Sequence, residues 1–195
     1  MPEDAVRLFD RWSRSYEESW RQGFYFDRVH AGVLDAVRQQ PGPSSVLDIG
    51  CGTGRLLRKI RMCWPDAKVT GVDPAEGMIQ KARQLMPEAT FIVGPAEHLA
   101  FPDSSFDLVV STVSFHHWSD QLQGVSEVRR VLRNGGHVIL ADTVLSPFFI
   151  KVFHHGHIRT AAGIREIFGQ AGLIVISQRK ILPWHVLTEG VRSTG

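Results

Sequence analysis

The chain has 195 residues, enough for one domain whose core needs no disulfide or metal staple. Hydrophobic residues make up 43% and charged residues 22%, a globular balance that excludes a disordered polar chain and contains no apolar run long enough to span a bilayer. Lys and Arg total 22 against 20 Asp and Glu, so a formal charge of +2 gives no electrostatic basis for nucleic acid as the main partner. The start, Met1-Pro2-Glu3-Asp4, lacks the basic and apolar regions of a signal peptide. Two cysteines, Cys51 and Cys63, make neither a disulfide framework nor a zinc-ligand spacing, and a soluble protein of the reducing cytoplasm is expected.

Residues 5–19 and 27–39 carry helical periodicity and are expected to form an N-terminal helical extension, 1–40, ahead of a main unit at 41–195. The first strand is expected at 45–49. After a glycine-rich turn, Leu56, Leu57, Ile60 and Cys63 share a helix face that Pro65 closes. A second strand, 68–72, runs into Asp73-Pro74, and Ala75, Met78, Ile79, Ala82 and Leu85 then recur at helical spacing. Strands at 90–93 and 106–111 follow, the latter apolar enough to lie inside a sheet. Leu122, Val125, Val128 and Leu132 make the next helix face, with Asn134-Gly135-Gly136 as its expected left-handed cap and 137–141 as the fifth strand. A helix on Ile164, Ile167, Phe168 and Ala171, capped by Gly172, precedes two closing strands, 173–178 and 184–187, separated at Pro183. Strands alternating with helices predict an α/β fold: three layers, doubly wound, around a mostly parallel seven-stranded sheet.

The chemistry concentrates in Val46-Leu47-Asp48-Ile49-Gly50-Cys51-Gly52-Thr53-Gly54. Glycines between a strand and a helix let the backbone approach a ligand and aim free N–H groups at it. The spacing departs from the G-x-G-x-x-G of dinucleotide folds, because Gly50, Gly52 and Gly54 alternate and the acidic Asp48 comes just before them. Asp73, at the end of the next strand, stands where a carboxylate accepts hydrogen bonds from ribose hydroxyls; the other reading is a simple cap of the following helix.

These segments, with Gly71-Val72-Asp73-Pro74-Ala75-Glu76-Gly77-Met78, Phe106-Asp107-Leu108-Val109-Val110-Ser111 and Val131-Leu132-Arg133-Asn134-Gly135-Gly136, resemble class I S-adenosylmethionine-dependent methyltransferases. Within that class the chain is similar to the ubiquinone/menaquinone biosynthesis type of small-molecule methyltransferase. The resemblance implies a Rossmann-like fold, S-adenosylmethionine as cofactor and S-adenosylhomocysteine as product. It implies that Gly50, Cys51 and Gly52 line the methionine part, Asp73 holds the ribose, Pro74 and Met78 pack near the adenine, and Asp48 belongs to the cofactor-binding set. Ala96 would offer its N–H to the ring, Ser111 would lie beside the cofactor, and Tyr16 would cover it from the N-terminal helix. Pro95 replaces the Asp usual in the family, so the carboxylate for the adenine amino group is missing; Glu97 is the nearest substitute and would point differently.

Other groups leave two readings open. In Phe115-His116-His117-Trp118 an imidazole either lines the acceptor pocket or acts as a base, or the pair only positions the next helix. Phe24-Tyr25-Phe26, placed between the two N-terminal helices, either closes over an apolar acceptor or packs the extension onto the core. His154-His155-Gly156-His157 has no Cys or carboxylate pair nearby, so His154 is a substrate-side candidate and no metal is expected. A short segment at 143–160 leaves room for a second copy, a homo-oligomer, to complete the pocket. The expected function is methyl transfer to a small, partly apolar molecule, with no assigned catalytic residue. The alternatives are an inactive cofactor-binding module and an NAD(P)-dependent oxidoreductase. The latter is disfavoured because neither Tyr16 nor Tyr25 has a Lys four residues on.

Overall fold

Seven strands form one sheet: β1 (Ser45–Ile49), β2 (Lys68–Asp73), β3 (Thr90–Val93), β4 (Phe106–Thr112), β5 (Leu132–Thr143), β6 (Leu173–Leu182) and β7 (His185–Arg192). The computed structural model describes residues 6, 7, 9, 10, 20–146 and 158–194, and of residues 20–24 the backbone only. Strand order is β3-β2-β1-β4-β5-β7-β6. β1 to β5 run parallel, and β7 lies antiparallel between β5 and β6. Chain direction across the sheet reverses between β1 and β4, which opens a crevice beyond their carboxyl ends.

Side chains alternate across this sheet and build two cores. Val46, Leu108, Val110, Ile139 and Ala141 face one side, packed with α1 (Trp20–Arg38), α2 (Arg55–Cys63) and α3 (Glu76–Leu85). Leu47, Val109, Val138 and Leu140 face the other, packed with α4 (Gln121–Val131) and α5 (Ala161–Gln170). Parallel strands covered on both faces need apolar residues at successive positions, and the unbroken runs in β1 and β4 meet that need.

Three local expectations are corrected. The aromatic run Phe24-Tyr25-Phe26 lies inside α1, which begins at Trp20, and does not connect two helices. Phe26 continues the stripe of Val29, His30, Val33 and Val37 by one more turn, so the buried face extends the helix. The sequence Asn134-Gly135-Gly136 does not cap α4. The helix stops at Val131, and Leu132, fully buried, turns extended (φ −68°, ψ 140°) and pairs at once with Phe106. The register then jumps so that Leu108 meets His137, and Gly135 (φ 74°) serves that excursion of the strand. Finally, β6 and β7 are longer than expected because the hairpin pairing carries the polar run Ser177-Gln178-Arg179-Lys180 into an edge strand. Gly172 (φ 80°) follows α5 in the left-handed conformation expected of it.

Candidate functional site

The turn after β1 is pinned to β2: the N–H groups of Gly50 and Cys51 donate to the Val72 carbonyl at 2.7 and 3.1 Å. Gly50 has φ 73°, and a Cβ there would stand 2.3 Å from both Cβ and Oγ of Ser114. Close packing of β1 on the end of β4 therefore requires glycine at this position. Gly52 (φ 54°) differs, since a Cβ there would meet nothing within 4 Å. Its backbone faces open space. The hydroxyls of Ser111 and Ser114 donate to the Ile49 carbonyl at 2.9 and 3.0 Å and tie the two strand ends together.

Beyond these ends lies a cavity open to solvent. Gly50 and Gly52 border it from the turn, Asp73, Pro74 and Met78 from β2 and α3, and Pro95, Ala96 and Glu97 from the loop after β3. The segment after β4 adds Val113, Ser114, His117 and Trp118, and the N-terminal helices add Phe9 and Phe26. A smaller space shares Phe26, Gly50, Gly52 and Thr112 with it and adds His30, Asp48, Cys51 and Arg55. The glycine turn thus borders both spaces, with Asp73 lining the first and Asp48 the second.

Asp73 is 8% exposed; its Oδ2 accepts from Gly52 N and its Oδ1 from Ala75 N, each at 2.9 Å. Burial pushes its carboxyl up to about 6, and these two N–H groups oppose the rise. Asp48 is pushed further, to about 8, by burial and by the charge of Asp73, and its Oδ1 has no hydrogen-bond partner. His30 also has an unpartnered buried Nδ1, and burial brings its imidazole down to about 3. Burial raises the Cys51 thiol well above its ordinary range, so this sulfur is not a nucleophile at neutral pH. An unused acceptor at Asp48 and a fixed carboxylate at Asp73, with Pro74, Met78 and Ala96 beyond, fit a ligand carrying an amine, a ribose and an aromatic base.

The remaining sequence candidates are dispersed. Glu97 borders the cavity, yet its Oε1 accepts from Ser119 N at 2.6 Å and Asp120 N at 3.1 Å. That oxygen anchors the entry to α4. Ser111 is 2% exposed and set back from the cavity, its hydroxyl engaged with Ile49 and Ser114. Tyr16 and His154 lie outside the described residues, as does the side chain of Phe24.

A second polar group flanks the cavity. His116 Nδ1 donates to Asp142 Oδ1 at 2.6 Å, and its ring lies 4.0 Å from that of His117. Burial and His116 bring the cavity-lining His117 down to about 4. The Tyr25 hydroxyl bonds His185 Nε2, which Thr143 Oγ1 also reaches at 3.2 Å. Burial raises the Tyr25 phenol, against the bond to Thr143, and lowers His185. Sequence reasoning missed Asp142, His185, Phe9, His30, Val113 and Ser114, and named Phe26 only as part of the aromatic run. Asp142 had one usable signal, a carboxylate at the carboxyl end of the strand next to β4, whereas His185 reaches the site only through the antiparallel return of β7.

A family model described as a methyltransferase domain matches residues 47–140. The chain is 32% identical over 139 residues to a demethylmenaquinone methyltransferase of Thermotoga maritima, a match covering 71% of this chain and 61% of that protein. With an uncharacterized methyltransferase of Bacillus licheniformis it shares 32% identity over 155 residues, 74% of this chain and 70% of the relative. Among solved structures, a chain of the complex containing the Haloferax volcanii Trm112 methyltransferase activator superposes with a TM-score of 0.78 at 26% identity, covering 95% of this chain and 97% of that one. The chain thus spans somewhat over half of the Thermotoga protein's length and more than two thirds of the Bacillus protein's. By this shared sequence and sheet order, the protein belongs to the class I S-adenosylmethionine-dependent methyltransferase family.

Proposed function

We propose that the chain binds S-adenosylmethionine across the two spaces beside the glycine turn and transfers its methyl group to a small, partly apolar acceptor. The observation that carries this reading is the open backbone of Gly52 held against the Asp73 carboxylate, with the unpartnered Asp48 acceptor on the other side of the turn. Asp48, Gly50 and Gly52 would hold the methionine end, Asp73 the ribose, and Pro74, Met78 and Ala96 the adenine. When bound, the cofactor supplies a methyl on a sulfonium: the acceptor's electron pair forms the new bond while the methyl–sulfur pair stays on sulfur, giving S-adenosylhomocysteine. The protein's own part is to orient the two molecules and keep water out, effects that lower such barriers by roughly 7–11 kcal/mol. Phe9, Phe26, Val113 and Trp118 supply apolar wall for that exclusion. No nucleophilic side chain is required.

The N-terminal extension, 1–40, is assigned the role of a cover, with Tyr16 part of it. In its support, Asp10 Oδ1 accepts from Gly77 N at 2.8 Å, and the Phe9 ring meets His117 edge-on at 5.4 Å. The loop histidine His154 is kept as an acceptor-side candidate. Free thiols at Cys51 and Cys63 suit a reducing cytoplasm, and no helix among the described residues is long and apolar enough to cross a membrane. Calorimetry with S-adenosylmethionine, S-adenosylhomocysteine and NADH tests the reading. Binding of both adenosyl ligands and no NADH is expected; NADH binding alone would overturn it. Asp73→Ala should weaken either adenosyl ligand by about 1–3 kcal/mol, through ribose hydroxyls left without a partner.

A further inference from the structure

Val29, Val33 and Val37 share a face of α1 that packs into the core, and His30 stands in the same stripe, 4% exposed. A leucine there would continue the stripe, whereas an imidazole buried with an unmade hydrogen bond costs stability. The Nδ1 of His30 has no partner among the described residues. Asp27, three residues earlier, is engaged elsewhere: its Oδ1 accepts from Lys59 at 2.5 Å and its Oδ2 from Arg55 at 3.2 Å. Burial, with the cations Lys59, Arg55 and Arg58 of α2, keeps the ring neutral against the opposing charge of Asp27. Asp48 of β1 repeats the pattern, 1% exposed and with its Oδ1 unpartnered. His30 and Asp48 border one small space, together with Gly50, Gly52 and Arg55, and do not bond each other. Two buried groups from separate elements, each short of a partner beside the same space, cost the free protein stability and favour a ligand that satisfies both.

We propose that His30 and Asp48 together clamp the ammonium of the cofactor's amino-acid head, and that His30 is the residue that makes binding depend on a free amine. The proposal rests on the two spaces being the methyl-donor site. An ammonium has three N–H donors, enough for His30 Nδ1, an Asp48 oxygen and one further acceptor. A carboxylate has no donor for either group, and a hydroxyl has one and leaves the other group unmatched. Arg55 decides what accompanies the ammonium. A bare amine would meet this guanidinium without compensation, whereas an α-amino acid brings a carboxylate of opposite sign. Asp27 keeps Lys59 as its partner when Arg55 turns to that carboxylate. The neutrality of His30 matters as well, because an imidazolium would repel the ammonium and has no lone pair to offer it. Acceptance at Nδ1 places the ring's own proton on Nε2.

Two probes separate the amine from the rest of the ligand. One is S-adenosylhomocysteine; the other is its desamino analogue, the adenosyl thioether of 4-mercaptobutyrate, which keeps the adenine, ribose, sulfur and carboxylate. Calorimetry on the unsubstituted protein should favour S-adenosylhomocysteine by about tenfold or more. His30→Leu continues the apolar stripe and should not lower the melting temperature. It should weaken S-adenosylhomocysteine about tenfold and the analogue by less than about twofold. In nitrogen-15 spectra of the unsubstituted protein, Nδ1 of His30 should respond to S-adenosylhomocysteine and not to the analogue, a readout independent of how the variant folds. Equal binding of the two probes by the unsubstituted protein, equal losses or no loss in His30→Leu, a lowered melting temperature of that variant, or an Nδ1 signal indifferent to the amine overturns the proposal and leaves the donor-site reading standing. Failure of both probes to bind would overturn the donor-site reading and this assignment with it.

Discussion

Replacing Asp48 by Asn should make the apoprotein more stable and its cofactor binding weaker. The side chain keeps its shape and loses only the ability to ionise. In the folded protein the carboxyl is pushed up to about 8, with burial the main cause and Asp73 the second. In the unfolded chain it returns to roughly 3.9. The folded state therefore holds a proton that the unfolded state has released. Stability from this group is complete below about pH 4 and is lost as pH rises toward 8. Asp73, raised to about 6, acts in the same direction but has largely finished by pH 6, so the interval from pH 6 to 8 isolates Asp48. Each pH unit costs up to about 1.4 kcal/mol until the folded carboxyl itself ionises, which gives a loss of about 2 kcal/mol over that interval. Urea unfolding followed by tryptophan fluorescence at pH 6, 7 and 8 measures it. Wild type should lose about 2 kcal/mol more than Asp48→Asn across the series. Parallel pH dependences would refute the argument, because they would mean that the buried carboxyl is not held protonated.

Gly50→Ala should destabilise by roughly 1–3 kcal/mol, since it imposes a left-handed φ on a residue with Cβ and drives that atom into Ser114. Adding Ser114→Gly should recover the steric share in a double-mutant cycle of urea midpoints. Glu97→Ala should cost about 1–3 kcal/mol of stability by stranding the Ser119 and Asp120 N–H groups, while S-adenosylmethionine affinity measured by calorimetry stays within about twofold. A tenfold loss of affinity would mean that the carboxylate reaches the adenine. Val113, a β-branched residue at φ 51°, borders the cavity, so Val113→Gly should raise the melting temperature by releasing about 1 kcal/mol of backbone strain.

Elements defined by apolar periodicity were legible in the sequence because their signal is local. β1, β4 and the faces of α2 and α3 stand close to where 45–49, 106–111 and the Leu56 and Met78 stripes put them. The turn and Asp73 were legible for the same reason: strand end, glycine and acid lie in one short window. What escaped depends on pairs far apart in the chain. Asp142 meets His116 across 26 residues, and Tyr25 meets His185 across 160. Nothing in the neighbourhood of either residue announces the other. The anchoring of Glu97 was hidden in a related way, since its partners Ser119 and Asp120 sit beyond β4. The Asn134-Gly135-Gly136 string has the composition of a helix cap, and only the pairing of Leu132 with Phe106 reveals it as a strand excursion.

Phe9 and Asp10 are successive residues, yet they reach different parts of the cavity wall. Asp10 accepts from the backbone at the start of α3, beside Met78, and the Phe9 ring meets His117. If residues 1–40 cover the site as proposed, these two neighbours would tie the adenine side and the acceptor side to one stretch of chain, so that a ligand holding one contact in place would also favour the other.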